Sequence, residues 1–277
     1  MTLRIPTLWL VTAALSAAAS AAFAFTFYPR GASEEEKFNA AAQRKKAYDT
    51  IAQGLDLQAA GNKDAALAKF REAITFDPAV SSSYYQIGTA DLSDGNLKEA
   101  ITHFDQALIT DRWPEHIYNN RGVARMRLGD AKGALSDFDA ALALRPSLLQ
   151  PRINRALLHL QQGDATAALH DFDAAIATYA SPNDGIEAYI GRGIARAKLG
   201  DLAGAESDLS LAREWARGKD RVLSAILNRA TLRDLKGDTA GAQADRADYE
   251  RLKDLPKKSN EFVRPLKGAD DPTKGKG

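Results

Sequence analysis

Small, apolar and polar positions return in the same order along most of the chain. The clearest marker is a glycine followed by Asp or Asn. It stands at Gly61, Gly95, Gly129, Gly163, Gly200 and Gly237, with spacings of 34, 34, 34, 37 and 37 residues. Five residues after each stands an alanine: Ala66, Ala100, Ala134, Ala168, Ala205 and Ala242. Nine after come Phe70, Phe104, Phe138 and Phe172, then Leu209 and Arg246. Twelve after come Ala73, Ala107, Ala141, Ala175 and Ala212, and seven before lie Gly54, Gly88, Gly122, Ala156, Gly193 and Ala230. Between these markers the apolar and small residues recur at helical spacing. Each unit therefore predicts a helical hairpin. The glycine ends the first helix because it accepts the left-handed conformation, and the next Asp or Asn caps the second. Matched small residues let the two helices approach, and the phenylalanine fills the gap between neighbouring hairpins. One hairpin cannot bury its apolar face alone, so the units must stack.

Period, small residues, turn glycine, phenylalanine and closing prolines (Pro78, Pro114, Pro146, Pro182 and Pro256) together resemble the tetratricopeptide repeat family. The resemblance covers residues 47–256 in six units: 47–80, 81–114, 115–148, 149–182, 186–219 and 223–256. It implies an all-α fold, a right-handed superhelical solenoid of stacked antiparallel helical hairpins. Three-residue insertions fall around Asn183–Gly185 and Gly218–Arg221, and the sixth unit carries Arg246 and Tyr249 in apolar slots. A polar outer helix suits a terminal unit. The resemblance further implies that the first helices line a concave groove, which in the family binds peptide segments of partner proteins. Carried over position by position, ten and six before each turn glycine, that groove receives Tyr85 and Thr89, Asn119 and Val123, Ile153 and Leu157, Ile190 and Ile194, and Leu227 and Thr231. Nine before the turn lie Asn120, Asn154 and Asn228, with Gln86 and Gly191 at the same register. An asparagine can hold an extended peptide backbone through its donor and acceptor, as in some family members, or bond its own scaffold. The sequence leaves both open. The basic clamp that some members use for acidic C-termini is not carried over, since only Arg127 and Lys198 lie near this face.

A second regularity is charged. Arg121, Arg155, Arg192 and Arg229 each lie eight residues before a turn glycine, and Asp137, Asp171, Asp208 and Asp245 each lie eight after it. Residues equidistant from the turn of an antiparallel hairpin sit at one height, about 12 Å along each helix at 1.5 Å per residue. The first two units have Gln53 with Lys69 and Ile87 with His103 instead, so both partners vanish together. The spacing predicts an ion pair clasping each hairpin. A catalytic reading is the weaker one, because an Arg–carboxylate pair supplies no nucleophile or tuned base, and the remaining alternative is solvated surface charges that never meet.

The ends read differently. Residues 1–28 have Arg4 in front, an Ala-rich apolar run and small-residue cleavage cues at Ala19-Ser20-Ala21 and Ala22-Phe23-Ala24. This is either a cleaved export signal or an uncleaved membrane anchor over residues 7–28, the run being nearly long enough to span a bilayer. Either reading places the remainder outside the cytoplasm, and the Ala-rich signal points to a bacterial periplasm. Residues 29–46 form a lead-in: Ser33 and Glu36 make a capping box that predicts one long helix from about Glu34 to Ala59. Residues 257–277 are rich in Pro, Lys and Gly and predict a disordered tail.

Composition narrows function further. The 277 residues carry a net charge of +1, so no basic field favours nucleic acid. With no cysteine, thiol catalysis and cysteine metal sites are absent. His103, His116, His159 and His170 form no metal-ligand pair at helical spacing, and no nucleophile elbow or phosphate loop occurs. Trp113 and Trp215 lie near unit ends, where packing is expected. No cofactor, metal or small-molecule substrate is expected. The chain reads as a non-enzymatic scaffold for another protein of the cell envelope, or as a structural subunit of an envelope complex.

Overall fold

The computed structural model describes residues 10–12, 26–28, 32–179, 185–216 and 218–256. Within the expected export segment, β1 (Leu10–Thr12) pairs antiparallel with β2 (Thr26–Tyr28), Leu10 opposite Tyr28. The rest of that segment and the expected tail lie outside the described residues. Among the described residues no helix is long and apolar enough to cross a membrane.

The remainder is an all-α solenoid of helical hairpins. The hairpins are α1 (Glu34–Ala59) with α2 (Lys63–Phe76), α3 (Ser81–Asp94) with α4 (Leu97–Thr110), and α5 (Glu115–Leu128) with α6 (Ala131–Leu144). Then follow α7 (Leu149–Gln161) with α8 (Ala165–Ile176), α9 (Ile186–Lys198) with α10 (Leu202–Trp215), and α11 (Lys219–Leu235) with α12 (Thr239–Lys253). Each of the six turns passes through its glycine at φ between 77° and 91°, a region closed to most side chains. The residue after the glycine donates its backbone N–H five residues back, as Asp164 does to the His159 carbonyl at 2.9 Å. That bond satisfies a carbonyl which the ended helix would orphan.

The second helices start unequally. Asp130, Asp164, Asp201 and Asp238 each accept a backbone N–H three residues on, at 2.9 Å. Asn62 and Asn96, at nearly the same backbone angles, make no such side-chain bond. The expected cap thus forms with Asp and not with Asn. A carboxylate is the stronger acceptor, and its charge complements the helix N-terminus.

The chain divides into two compact units, residues 1–117 and 118–277, the boundary falling inside α5. In the first, Ala47, Ile51, Ala66, Phe70, Ala73, Val80 and Ile87 form the core between α1, α2 and α3. Helix α1 begins with the predicted capping box: the Glu36 N–H donates to Ser33 Oγ at 3.2 Å, and the Ser33 N–H to Glu36 Oε2 at 2.7 Å. It is 12 residues longer than α2, so about 18 Å of helix overhangs its partner, at 1.5 Å per residue. In the second unit Phe138, Phe172 and Leu209 occupy successive inter-hairpin slots and are almost wholly buried. Arg246 takes that slot in the last hairpin. It is exposed and pairs with Asp234.

Candidate protein-interaction surfaces

The charged register comes first, because it fixes how the first helices present their side chains. In the second unit every clasp arginine grips its aspartate with two parallel bonds. Arg155 donates from Nε to Asp171 Oδ2 and from Nη2 to Oδ1, both at 2.7 Å. Arg121 holds Asp137 at 3.0 and 2.6 Å, Arg192 holds Asp208 at 2.9 and 2.7 Å, and Arg229 holds Asp245 at 3.0 and 2.6 Å. All four carboxylates are buried. The third nitrogen reaches back one hairpin: Arg155 Nη1 meets Asp139 at 2.6 Å and Arg192 Nη1 meets Asp173 at 2.8 Å. The hydrogen bond to Asp171 holds the Arg155 guanidinium well above its ordinary range. Burial pulls Arg192 down, but its bonds to Asp208 and Asp173 outweigh that and raise it. These are permanent charges in a fixed fork, suited to fastening helices and not to moving protons.

Sequence reasoning missed a second arginine. Arg125, Arg196 and Arg233, four before the turn glycine, donate to the same aspartates at 2.8, 2.8 and 3.0 Å. Each also points at the carbonyl four after the turn, that of Gly133, Gly204 or Gly241. A Cβ on Gly133 or Gly241 would stand 3.0 Å from the arginine Cδ. The fourth hairpin has His159 and Ala167 at these two places, so arginine and glycine come and go together. That joint occurrence was the available signal.

The expected groove positions divide. Ile153 is only 4% exposed and Ile190 8%, so both belong to the core and are not offered to a partner. The reason is register: ten before the turn, Ile153 packs among Ala156, Ala168 and Phe172 of its own and neighbouring helices. Six before the turn, Leu157 is 40% exposed, while Val123 and Ile194 are half-buried. Leu227 is 41% exposed. The aliphatic row available in the second unit is therefore Val123, Leu157 and Ile194, three hairpins at one register, with Leu227 beyond.

The asparagines bond the scaffold. Asn154 Nδ2 donates to Asn119 Oδ1 at 2.9 Å, and Asn119 Nδ2 to Asn120 Oδ1 at 3.0 Å, linking α7 to α5. Asn228 donates to the Ser224 carbonyl at 2.8 Å. Gly191 interrupts this register for a packing reason. A Cβ there would lie 2.2 Å from Phe172 Cζ. In its own hairpin Phe172 faces Ala156, where Phe138 faces Gly122, so the close approach is made across the hairpin junction instead.

In the first unit Tyr85 stacks at a tilt on Phe104, centroids 6.2 Å apart. Thr89 donates to the Tyr85 carbonyl at 2.8 Å. Beside Thr89 a cleft of about 260 Å³ opens between the two hairpins, floored by Leu67 and Phe70 and walled by Gln58, Lys63 and Gln86. His103 occupies the clasp position of α4 and meets Asp91 at 2.7 Å. Trp113, expected to pack, is instead 71% exposed, whereas Trp215 packs against the core of the last two hairpins. No group of three acidic, His or Cys side chains among the described residues could hold a metal.

The profile of the family described as Tetratricopeptide repeat matches residues 51–115, 85–148 and 153–218. No curated protein sequence matches the chain. Among solved structures, a tetratricopeptide repeat protein from Parabacteroides merdae is 22% identical, with TM-score 0.62 over 75% of this chain and 80% of that one. PilF of Pseudomonas aeruginosa is 19% identical, with TM-score 0.62 over 79% of this chain and 96% of its own. YrrB, described as a TPR protein with an unusual peptide-binding site, is 20% identical, with TM-score 0.51 over 75% and 99%. At these identities the likeness is one of fold.

Proposed function

Because this chain belongs to the tetratricopeptide repeat family, a protein-interaction fold, we propose that it is an exported, non-enzymatic scaffold that captures a segment of another envelope protein. One observation carries the reading: Val123, Leu157 and Ile194 repeat an incompletely buried aliphatic side chain at one register of three successive first helices. Scattered single apolar residues on a surface carry no such meaning, but a row at repeat spacing does. The charged clasp supports it indirectly, since bidentate pairs hold each first helix against its partner. A preorganised surface loses less entropy on binding. The likeness to YrrB, described as holding a peptide-binding site, is consistent with a polypeptide ligand.

Export rests on the N-terminal segment. A cleaved signal yields a soluble periplasmic scaffold, and an uncleaved one yields a membrane-held subunit of an envelope complex. The length of the apolar run, reaching Tyr28, is what keeps the anchored form in view. Crosslinking in native membranes followed by purification of the tagged chain identifies the partner, and the size of the mature chain separates the two forms. Replacing Val123, Leu157 and Ile194 together by Gln should abolish capture while leaving helicity intact. Unchanged capture would refute the surface, and full-length chain in the cytosol would refute export.

A further inference from the structure

The junction between the last two hairpins is written in different residues from the junctions before it. Thirteen after the turn glycine, the second helices of the third and fourth hairpins carry Leu142, which is buried, and Ile176, which packs on a core shared with α9. The fifth hairpin has Arg213 at that place. The next second helix changes as well. Eleven and fourteen after the turn stand Ala174 and Ala177 in the fourth hairpin, Leu211 and Glu214 in the fifth, and Asp248 and Arg251 in the sixth. An apolar slot has become a charged one.

Arg213 is poorly satisfied in that slot. Its side chain is only 11% exposed, and its one acidic contact among the described residues is Asp248 Oδ2, 3.6 Å from Nη2. That separation is beyond hydrogen-bond range. Its Nε is enclosed, with no hydrogen-bond partner among the described residues. Asp248 is meanwhile taken by Arg251 Nη2 at 3.2 Å. Arg155 and Arg192, by contrast, bond through all three nitrogens. The electrostatics follow this difference. Burial above all holds Arg213 below its ordinary range, Asp248 opposes that shift, and the charges of Arg229 and Arg251 add to it. A desolvated cation short of acceptors is costly, and an anion that supplies them relieves the cost.

Charge and shape identify the anion. Arg213 and Arg251 share the single carboxylate of Asp248, which leaves one positive charge over. Arg229 adds no surplus acceptor, since its aspartate, Asp245, is also held by Arg233. Asp248 and Arg251 are both partly exposed, so the pocket of charge is reached from solvent on the α12 side. One uncompensated charge on a planar fork matches one carboxylate. We propose that Arg213 is a binding site for a polypeptide carboxylate, an Asp or Glu side chain, at the junction of α10 and α12. The site lies on second helices, away from the aliphatic row of the first helices, so it stands or falls separately from the scaffold reading. A partner protein is one source of the carboxylate. The other is this chain beyond Pro256, where Glu261, Asp270 and Asp271 follow. Leu255, packed on the core of the last two hairpins, brings the chain out at this end of the array.

The test follows the Nε–H NMR resonance of Arg213 as sodium acetate is added to the whole chain, with sodium chloride at equal ionic strength as the control for screening. Loss of the signal in Arg213→Leu assigns it, and leucine suits a slot that holds Leu142 elsewhere. Should that variant unfold, Arg213→Lys makes the same assignment. With a partner as the source, acetate shifts the resonance to saturation in the unmodified chain and chloride does not. With the chain's own carboxylate as the source, the combined changes Glu261→Gln, Asp270→Asn and Asp271→Asn move the resonance, and acetate acts only after them. No saturable response in either form overturns the proposal. So does a chloride response equal to that of acetate, or half-saturation by inorganic phosphate at a lower concentration than by acetate.

Discussion

The first two hairpins and the last four share their glycine turns, and all but the last share a buried Phe or Leu nine residues after it, but they are fastened at different heights. In residues 118–256 each hairpin is locked at mid-height by a bidentate Arg–Asp pair and at the turn by an aspartate cap. In residues 32–117 neither device is present. There the lock lies at the open end. Asp77, just past α2, takes Arg44 of α1 at 2.8 Å, and Asp111, just past α4, takes the Ser81 hydroxyl of α3 at 2.8 Å. Both aspartates also bond the following loop, Asp77 the Ala79 N–H and Asp111 the Trp113 N–H. One hairpin geometry thus accepts two fastenings, because its packing core sets the helix separation before any charge is added. The mid-height position is free to vary with what the surface must do.

The largest test of this contrast is Arg155→Leu. Asp171 is buried, and no second arginine four residues on supports it, since His159 stands there. Leaving that carboxylate charged, with no more than Arg152 at 4.0 Å and the exposed His170 at 3.8 Å beside it, should cost about 3–5 kcal/mol. Arg192→Leu should cost less, about 1.5–3 kcal/mol, the worth of bonds to a charged group, because Arg196 still holds Asp208. Adding Asp171→Leu to Arg155→Leu should recover much of the loss, and the double-mutant cycle reads the coupling. Native-state hydrogen exchange of the α7 and α8 amides measures all three. Equal costs for Arg155→Leu and Arg192→Leu would make the second arginine a spectator.

Next in size is the open-end lock of the first hairpin. Arg44→Leu should cost about 1.5–3 kcal/mol, since Asp77 is largely covered and loses a charge-assisted bond. The loss should appear in exchange of α1 and α2 amides and leave α7 to α12 unmoved. Spread of the effect into the last four hairpins would erase the distinction between the two regions.

The caps give a smaller and sharper test. Asp164→Ala removes a bond to the Ala167 N–H and should cost about 1 kcal/mol. Asn96→Ala removes no side-chain cap and should cost only a few tenths. Urea denaturation of the two variants decides the matter, and similar losses would mean that Asn96 caps in solution.

Much of this contrast was legible in the letters. The turn glycines, the alanine and phenylalanine slots and the long first helix follow from spacing, because backbone conformation and close packing dictate residue type at those places. The four Arg–Asp pairs follow from symmetry about the turn. What the letters hid depends on how neighbours share a partner. The aspartate's second arginine showed only as a covariation with glycine across the turn, and Asp139 and Asp173 act on the following hairpin, which periodicity within a unit does not reveal. The groove was hardest to read. Register places Ile153 and Leu157 on one helix face, but whether a side chain at the edge of that face is covered depends on the adjoining hairpin. The gap at Gly191 likewise required knowing that Phe172 leans across the junction.

The smallest expected effect lies at the first turns of α1, before the Arg44–Asp77 lock. The helix start is held by its capping box and by the Lys37–Glu34 pair at 2.6 Å. The hydrogen bond from the Ser33 backbone, and then that from its side chain, holds the Glu36 carboxyl below its ordinary value of 4.5. A carboxyl lowered by folding stabilises the folded end fully above its unfolded value, and that contribution is lost as pH falls through the folded one. Acidification below about 4.5 should therefore fray the first turns of α1 while the Ala47–Ala59 portion, packed on α2, keeps its exchange protection. Ser33→Ala removes the side-chain bond and keeps the larger backbone one, so it should bring Glu36 only part of the way back towards ordinary titration and fray the same turns at neutral pH. Carboxyl-carbon NMR of Glu36 through the titration reads both. An unshifted carboxyl in the unmodified chain, or fraying that begins at the α2 end, would show that the overhang is held by something other than its cap.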